Sequence, residues 1–294
     1  MLILISDAFD ASLPEKLAIF GEITTDKTRL AKADVVLVRG KTKCTKEYID
    51  SAPNLKMIIR GGVGIDNIDK EYAESKGIIV KNTPKASAIA VAELTFDLML
   101  STPNQLITYH NGMKEGKWLK KEIKRTELNN KTLCLVGIGH IASEVAKRAI
   151  AFNMKVVSYD KYVKSSPYAE MMSLEDAVKD ADYICMHTPL TPETKNMVNK
   201  ELISKMNKKP IIINTCRALC VNADDMFDAL EEGKVSWYCT DVYPSDPVDS
   251  SYPLLKSDKV TLTPHVGANT KENLLRIGDE IIETIKEYKD GGKI

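Results

Sequence analysis

Short apolar runs separated by charged, helix-compatible stretches recur along the whole chain. In the first hundred residues they are Leu2–Ile5, Val35–Val38, Lys56–Ile59 and Ile78–Val80. Such runs are too short for core helices, and they lack the apolar/polar alternation of a sheet with one wet face, so they predict strands buried on both sides. Strands of that kind alternating with helices give an α/β unit with a mostly parallel sheet. From Lys131 onward the pattern repeats in Leu133–Val136, Lys155–Tyr159, Tyr183–Met186, Ile211–Asn214, Trp237–Thr240 and Val260–Leu262. Helical segments separate most of these runs, which predicts a doubly wound sheet with its ligand past the carboxyl ends of the strands. Between the two sets lies a long helical pattern, Ala86–His110, carrying Ala90, Leu94, Met99 and Leu106. Pro103 lies inside it and should kink or interrupt the helix. The final segment, Asn269–Lys289, sets Leu274, Ile277, Ile281 and Ile285 on one face and should return to pack on the first domain.

The most informative stretch is Leu133–Asp160, LCLVGIGHIASEVAKRAIAFNMKVVSYD. A buried strand ends in Gly137-Ile138-Gly139-His140-Ile141-Ala142, a helix follows at once, and a second strand closes on Asp160. That strand, glycine turn, helix, strand and terminal acid make up the dinucleotide-binding fingerprint. Gly137 permits the tight turn, Gly139 lets backbone approach a pyrophosphate, and the small Ala142 lets helix and strand pack closely. The amides of the first helical turn face the phosphates. Asp160 lies 160 − 142 = 18 residues past the last small residue, where its carboxylate meets the ribose hydroxyls and repels a 2′-phosphate. NAD is the expected cofactor. The fold class is therefore α/β, with two Rossmann-like domains separated by a cleft. A substrate-binding domain is expected from residues 1–100 with 270–294, and an NAD-binding domain from residues 101–269.

A second glycine-rich turn, Arg60-Gly61-Gly62-Val63-Gly64-Ile65-Asp66-Asn67, follows the Lys56–Ile59 strand. Asn67 stands where a third small residue would be needed, and no acid-terminated strand follows. The turn reads as exposed amides with Arg60 at its mouth, suited to a carboxylate or phosphate, or as a simple tight turn.

Charge narrows the partners. The chain has 294 residues and equal numbers of basic and acidic side chains, 41 of each. Zero net charge argues against nucleic acid or an anionic membrane. The N-terminal apolar run meets Asp7 too early for a signal peptide, and no stretch reaches membrane-spanning length. Six scattered cysteines read as small core thiols of a cytoplasmic protein. Cys216 and Cys220 are spaced C-x3-C with no second pair or nearby histidine, so no metal is expected.

Three side chains near successive strand ends could surround a nicotinamide: Arg217, an acid near Asp246, and His265. Oxidation of a 2-hydroxy acid needs a guanidinium to hold the carboxylate and polarise the C2 oxygen. It needs a base to take the hydroxyl proton, and histidine is suited to that. It also gains from a carboxylate behind the imidazole, which fixes the tautomer and stabilises the cation.

With these residues in place, the sequence resembles the D-isomer-specific 2-hydroxyacid dehydrogenases over almost its whole length. The resemblance rests on RGGVGIDNIDKEYAESKGIIVKNTP, AVAELTFDLML, LVGIGHIASEVA, HTPLTPETKNMV, NTCRALCVN, DVYPSDP and TPHVGANTKE. It implies an NAD-dependent oxidoreductase. Within the family the resemblance points to oxidation of D-3-phosphoglycerate to 3-phosphohydroxypyruvate, the entry step of serine synthesis. The alternatives it leaves are a hydroxypyruvate or glyoxylate reductase and an NADH-sensing corepressor-like binding protein. The family's catalytic arginine, carboxylate and histidine fall on Arg217, Asp246 and His265. Two departures stand out. The family's Glu-Pro is Asp246-Pro247 here, one methylene shorter, so the backbone must move closer or the contact to His265 must weaken or pass through water. Ala218 replaces the customary glycine after the arginine.

By the same resemblance, cofactor contacts fall on Thr83, Gly137, Gly139, His140, Ile141, Asp160, Thr188, Thr215, Cys216, Arg217, Asp241, His265, Gly267 and Ala268. Substrate contacts fall on Arg60, Gly61, Gly62, Val63 and Arg217, with Lys81 as a further cation for a phosphorylated 2-hydroxy acid. Lys120 or Lys121 of a neighbouring subunit would add to these in a homodimer. The chain stops one helix after His265, so feedback by serine is not expected, and inhibition by millimolar serine would overturn that expectation.

Overall fold

The computed structural model describes all 294 residues, and they divide into two compact units, Met1–Ala88 with Ala268–Ile294, and Ile89–Gly267.

The smaller unit holds β1 (Leu2–Ile5), β2 (Glu22–Thr24), β3 (Val35–Val38), β4 (Met57–Arg60) and β5 (Ile79–Asn82). They form one parallel sheet in the order β2-β1-β3-β4-β5. Successive residues of each central strand point to opposite faces. Accordingly Ile3, Val35, Leu37, Met57 and Ile59 enter one buried cluster, while Leu4, Val36, Val38 and Ile58 enter another. The helix Lys271–Asp290 covers the first face with Ile277, Ile281 and Ile285, all without exposure. It is stitched there by polar bonds: Arg276 Nε donates to the Ala86 carbonyl at 3.0 Å, and the Ala86 amide to Glu280 Oε2 at 2.9 Å. Two-sided burial explains why these strands read as unbroken apolar runs. The edge strand β2, with one buried-facing isoleucine in Glu-Ile-Thr, gave no such signal.

The larger unit contains β6 (Thr132–Val136), β7 (Lys155–Tyr159), β8 (Glu170–Met171), β9 (Tyr183–Met186), β10 (Ile211–Asn214), β11 (Trp237–Thr240) and β12 (Val260–Leu262). All pairings are parallel, in the order β12-β11-β10-β9-β6-β7-β8. The order reverses between β6 and β9, and a doubly wound sheet opens its ligand crevice at such a reversal. The helix His140–Ala151 packs Ala142, Val145, Ala146 and Ala149 against Leu133 and Leu135 of β6.

The expected long helix is two: Ala88–Ser101 and Leu106–Lys114, with Gln105 in the left-handed region at φ 52° between them. Pro103 thus interrupts the helix outright. The first piece buries Ala92, Phe96, Leu98 and Met99 against Leu133, Leu135 and Val145. That packing assigns it to the larger unit. The division consequently falls after Ala88 and after Gly267, ahead of the boundaries expected after residues 100 and 269.

Candidate active site

The glycine turn after β6 shows two different uses of glycine. Gly137 has φ +94°, and a Cβ there would lie 2.6 Å from the carbonyl oxygen of His187, which follows β9. The turn therefore needs glycine both for its backbone angle and for its contact with the neighbouring strand end. Gly139 has φ −72° and no atom within 4 Å of a built Cβ. It is needed by neither conformation nor packing, and it leaves open space in front of the His140–Ala151 helix. No side chain caps that helix's first turn, so its amides remain for an anion. His140 is exposed, Ile141 partly so, and Ala142 fully buried against the sheet.

Asp160, at the end of β7, accepts from the Ile138 amide at 3.0 Å and from the Tyr162 and Val163 amides at 2.8 and 3.0 Å. Burial pushes its pKa up, but these three amides outweigh it and hold the carboxyl below its usual range. A fixed negative charge thus borders the glycine turn. The adjacent cation, Lys161, pairs with Glu193, which offsets the charge that could have welcomed a 2′-phosphate. Beside Gly137, both ring nitrogens of His187 are buried without a hydrogen-bond partner, and burial lowers its pKa to about 4. Orphaned polar atoms beside an open, amide-lined turn fit a dinucleotide.

Three neighbouring strands carry the side chains expected to be catalytic at their carboxyl ends. Arg217 follows β10, Asp241 and Asp246 follow β11, and His265 follows β12. Arg217 donates from Nη1 to its own neighbour's carbonyl, Cys216 O, at 2.6 Å. Asn214 bridges the turn, its amide donating to the Arg217 carbonyl at 2.9 Å. His265 Nδ1 lies 2.6 Å from Asp246 Oδ2. The shorter acid reaches the imidazole directly, so neither a weakened nor a water-bridged contact is needed. Half of the His265 side chain is exposed, and with Nδ1 engaged, Nε2 is the nitrogen left for a substrate.

His265 takes φ +56°, a left-handed conformation that costs a non-glycine residue about 1 kcal/mol or more. Asp241 holds it there. This carboxylate, 2% exposed, accepts from Thr263 Oγ1 at 2.7 Å and from the amides of Val266 and Gly267, both at 2.8 Å. A Cβ on Gly267 would come within 2.9 Å of Asp241 Oδ2. Asp241 was expected as a cofactor contact; in the fold it builds the turn that presents His265. Sequence reading missed that role because its three partners lie more than twenty residues away. Thr215 is buried with its hydroxyl 3.3 Å from that of Thr95, and Cys216, Thr188 and Ala268 are partly buried.

In the smaller unit the Arg60 turn corrects two expectations. Gly61 and Gly62 do not offer exposed amides: Gly61 N–H donates to the Val38 carbonyl at 2.8 Å and Gly62 N–H to Thr83 Oγ1 at 2.7 Å. The fully buried Thr83 is thereby committed to the turn. Arg60 folds over Gly62, where a Cβ would sit 1.7 Å from Nη1; Val63 is exposed. Lys81 is not a companion of Arg60. The register pairs Arg60 with Asn82 and Ile59 with Lys81, so the two cations point to opposite faces. The Lys81 ammonium instead lies 5.0 Å from the Tyr288 ring centroid. A cation the sequence reading passed over is Arg39, one residue beyond β3. Val38 pairs with Arg60, so Arg39 follows at the adjacent strand end, and the alternation that separates Lys81 from Arg60 gives Arg39 no common face with it either. The signal was visible as an arginine directly after a buried run.

Residues 96–267 match the family model for the NAD-binding domain of D-isomer specific 2-hydroxyacid dehydrogenases. The chain belongs to that family. It is 42% identical over 259 residues to a hydroxypyruvate reductase of Thermotoga maritima, covering 87% of this chain and 85% of that one. It is 41% identical over 269 residues to a D-3-phosphoglycerate dehydrogenase of Methanocaldococcus jannaschii, covering 90% of this chain but 51% of the relative. The chain thus spans about half the length of that dehydrogenase. Among solved structures, a D-lactate dehydrogenase of Aquifex aeolicus complexed with NAD and lactic acid superposes with a TM-score of 0.86 at 30% identity, covering 100% of this chain and 97% of that one. This is an NAD-dependent 2-hydroxyacid dehydrogenase with two parallel-sheet Rossmann-like domains, and no helix is long and apolar enough to cross a membrane.

Proposed function

We propose that the chain interconverts D-3-phosphoglycerate and 3-phosphohydroxypyruvate, with Arg217, His265 and Asp246 as its catalytic residues. The observation that carries the chemistry is the 2.6 Å contact between His265 Nδ1 and Asp246 Oδ2 on a turn fixed by Asp241. In the oxidising direction, the Arg217 guanidinium holds the carboxylate and polarises the C2 oxygen. His265 Nε2 takes the hydroxyl proton, and Asp246 stabilises the resulting imidazolium through Nδ1. Bound NAD supplies the acceptor for the C2 hydride. The glycine turn, the first-turn amides and Asp160 would hold its diphosphate and adenosine ribose. In the reducing direction His265 returns the proton to the C2 oxygen.

What favours a phosphorylated acid is Arg60 at the carboxyl end of β4, because a dianionic ester needs more than the one guanidinium that a carboxylate takes. A second reading, reduction of hydroxypyruvate, is favoured by the 42% identity to a hydroxypyruvate reductase over most of both chains. Turnover on phosphohydroxypyruvate and on hydroxypyruvate, each with NADH and NADPH, separates the two. A kcat/KM for the phosphorylated ketoacid at or below that for hydroxypyruvate refutes the first. The same reading places the enzyme in serine synthesis in the cytoplasm. It also expects a homodimer, for which Leu106, Ile107, Met113 and Trp118 offer exposed apolar side chains; sedimentation as a monomer at micromolar concentration would refute this.

A further inference from the structure

The turn that carries Arg217 also carries two cysteines for which hydride transfer has no use. Cys216 directly precedes the arginine, and Cys220 closes the short turn Ala218–Cys220. The chain doubles back there: Cys220 N–H donates to the Arg217 carbonyl at 3.2 Å, and Val221 N–H to the Ala218 carbonyl at 3.0 Å. Both sulfurs come to lie against Thr188. Its hydroxyl is 3.8 Å from Cys220 Sγ, and its backbone amide points to Cys216 Sγ. Both side chains pack on the same buried cluster, Cys220 within it and Cys216 at its margin.

The other four cysteines, Cys44, Cys134, Cys185 and Cys239, are fully buried. Burial is the main reason their thiols stand far above the ordinary range, at about 12 for Cys44, Cys134 and Cys239. The Arg217 pair differs. Its two sulfurs interact directly, which raises Cys216 and lowers Cys220 to about 7 despite its burial. A dithiol with one acidic member is the reactive kind, and Cys216, being only partly buried, leaves a side from which a small oxidant can reach the pair.

We propose that Cys216 and Cys220 are a modification site, closing to a reversible disulfide on contact with a hydroperoxide, and that closure displaces Arg217 and lowers turnover. The thiolate of the pair attacks one oxygen of hydrogen peroxide; the S–O bond forms, the O–O bond breaks, the departing hydroxide takes a proton from solvent and leaves as water, and a sulfenic acid remains. The second thiol attacks that sulfur, the S–S bond forms, the S–O bond breaks, and the departing hydroxide takes the remaining thiol proton as a second water. Two electrons pass from the two sulfurs to the peroxide. A disulfide fixes its Cβ atoms about 3.8 Å apart. Imposing that on five residues constrains the extended backbone of Arg217, at φ −145° and ψ 133°. A thiol reductant reverses the step.

The test treats the full chain with hydrogen peroxide, blocks remaining thiols with iodoacetamide, and reads the peptide mass and NADH turnover on the better of the two ketoacids. The expected result is a Cys216–Cys220 peptide about 2 Da lighter and unalkylated, a several-fold fall in kcat, and recovery with dithiothreitol. Cys220→Ser, with Cys220→Ala as a second variant, should keep its starting activity and hold it through the same treatment. Peptide masses show the disulfide whether or not either ketoacid is the true substrate, so this proposal and the substrate reading fail separately. Two alkylated thiols after oxidation, a disulfide that leaves turnover unchanged, or equal loss of activity in both Cys220 variants and the unmodified chain would each overturn it.

Discussion

His187 offers a prediction that rests on one side chain. Its ring nitrogens are buried and unpartnered, although the residue as a whole retains some exposure through other atoms. In the folded chain the imidazole does not take a proton until about pH 4, against the usual 6.5 when unfolded. Between those values the unfolded chain binds the extra proton, so stability must fall as pH drops from 6.5 toward 4 and the contribution then levels off. At about 1.36 kcal/mol per pH unit over roughly 2.5 units, this group withdraws about 3 kcal/mol. Replacing it by leucine removes the titration, and it also relieves the nitrogens' unmet hydrogen bonding at neutral pH. Denaturant unfolding of the larger unit should therefore show a loss between pH 7 and pH 4 that is smaller by about 3 kcal/mol in His187→Leu than in the unmodified chain. His110, His140 and His265 are common to both proteins and cancel in the comparison. An identical loss in the two proteins, or a ring proton resonance of His187 titrating near 6.5, would refute the argument.

The two glycines of the cofactor turn should respond in opposite ways. Gly137→Ala meets the His187 carbonyl and an unfavourable φ, and should lower unfolding free energy by about 2 kcal/mol or more. Gly139→Ala meets nothing within 4 Å; it should leave the melting temperature unchanged and weaken NADH binding in titration calorimetry, and unweakened binding would show that the diphosphate does not lie there. His265→Ala should cut kcat by about 10²- to 10⁴-fold with NADH affinity nearly unchanged, whereas Asp246→Asn should cut it less and shift the pH–rate profile; full activity in either variant sinks the assignment. Asp160→Ser with Glu193→Gln removes the repelling carboxylate and frees Lys161, so the NADH/NADPH ratio of kcat/KM should fall by tenfold or more, about 1.4 kcal/mol, and an unmoved ratio would contradict the electrostatic account.

Much of this molecule can be read from sequence because its central strands are buried on both faces and follow glycine, acid and arginine punctuation at fixed offsets. The strand β6, its glycine turn, the helix after it and Asp160 are contiguous, so spacing alone predicts both the element and its ligand. The same holds for Arg217, which follows the buried run Ile211–Asn214, and for His265, which follows the short, partly exposed edge strand β12. Local sequence also flags Pro103 as a kink or interruption, and the structure shows the interruption. Tertiary structure alone decided the rest. Whether Asp246 could reach His265 depends on how two loops after neighbouring strands fold back. That Asp241 spends its carboxylate on amides more than twenty residues away depends on strand pairing. Lys81 and Arg60 lie near the ends of neighbouring strands, yet sheet register turns them to opposite faces. These are long-range questions of distance and direction, and side-chain periodicity carries no information about which strands will be neighbours.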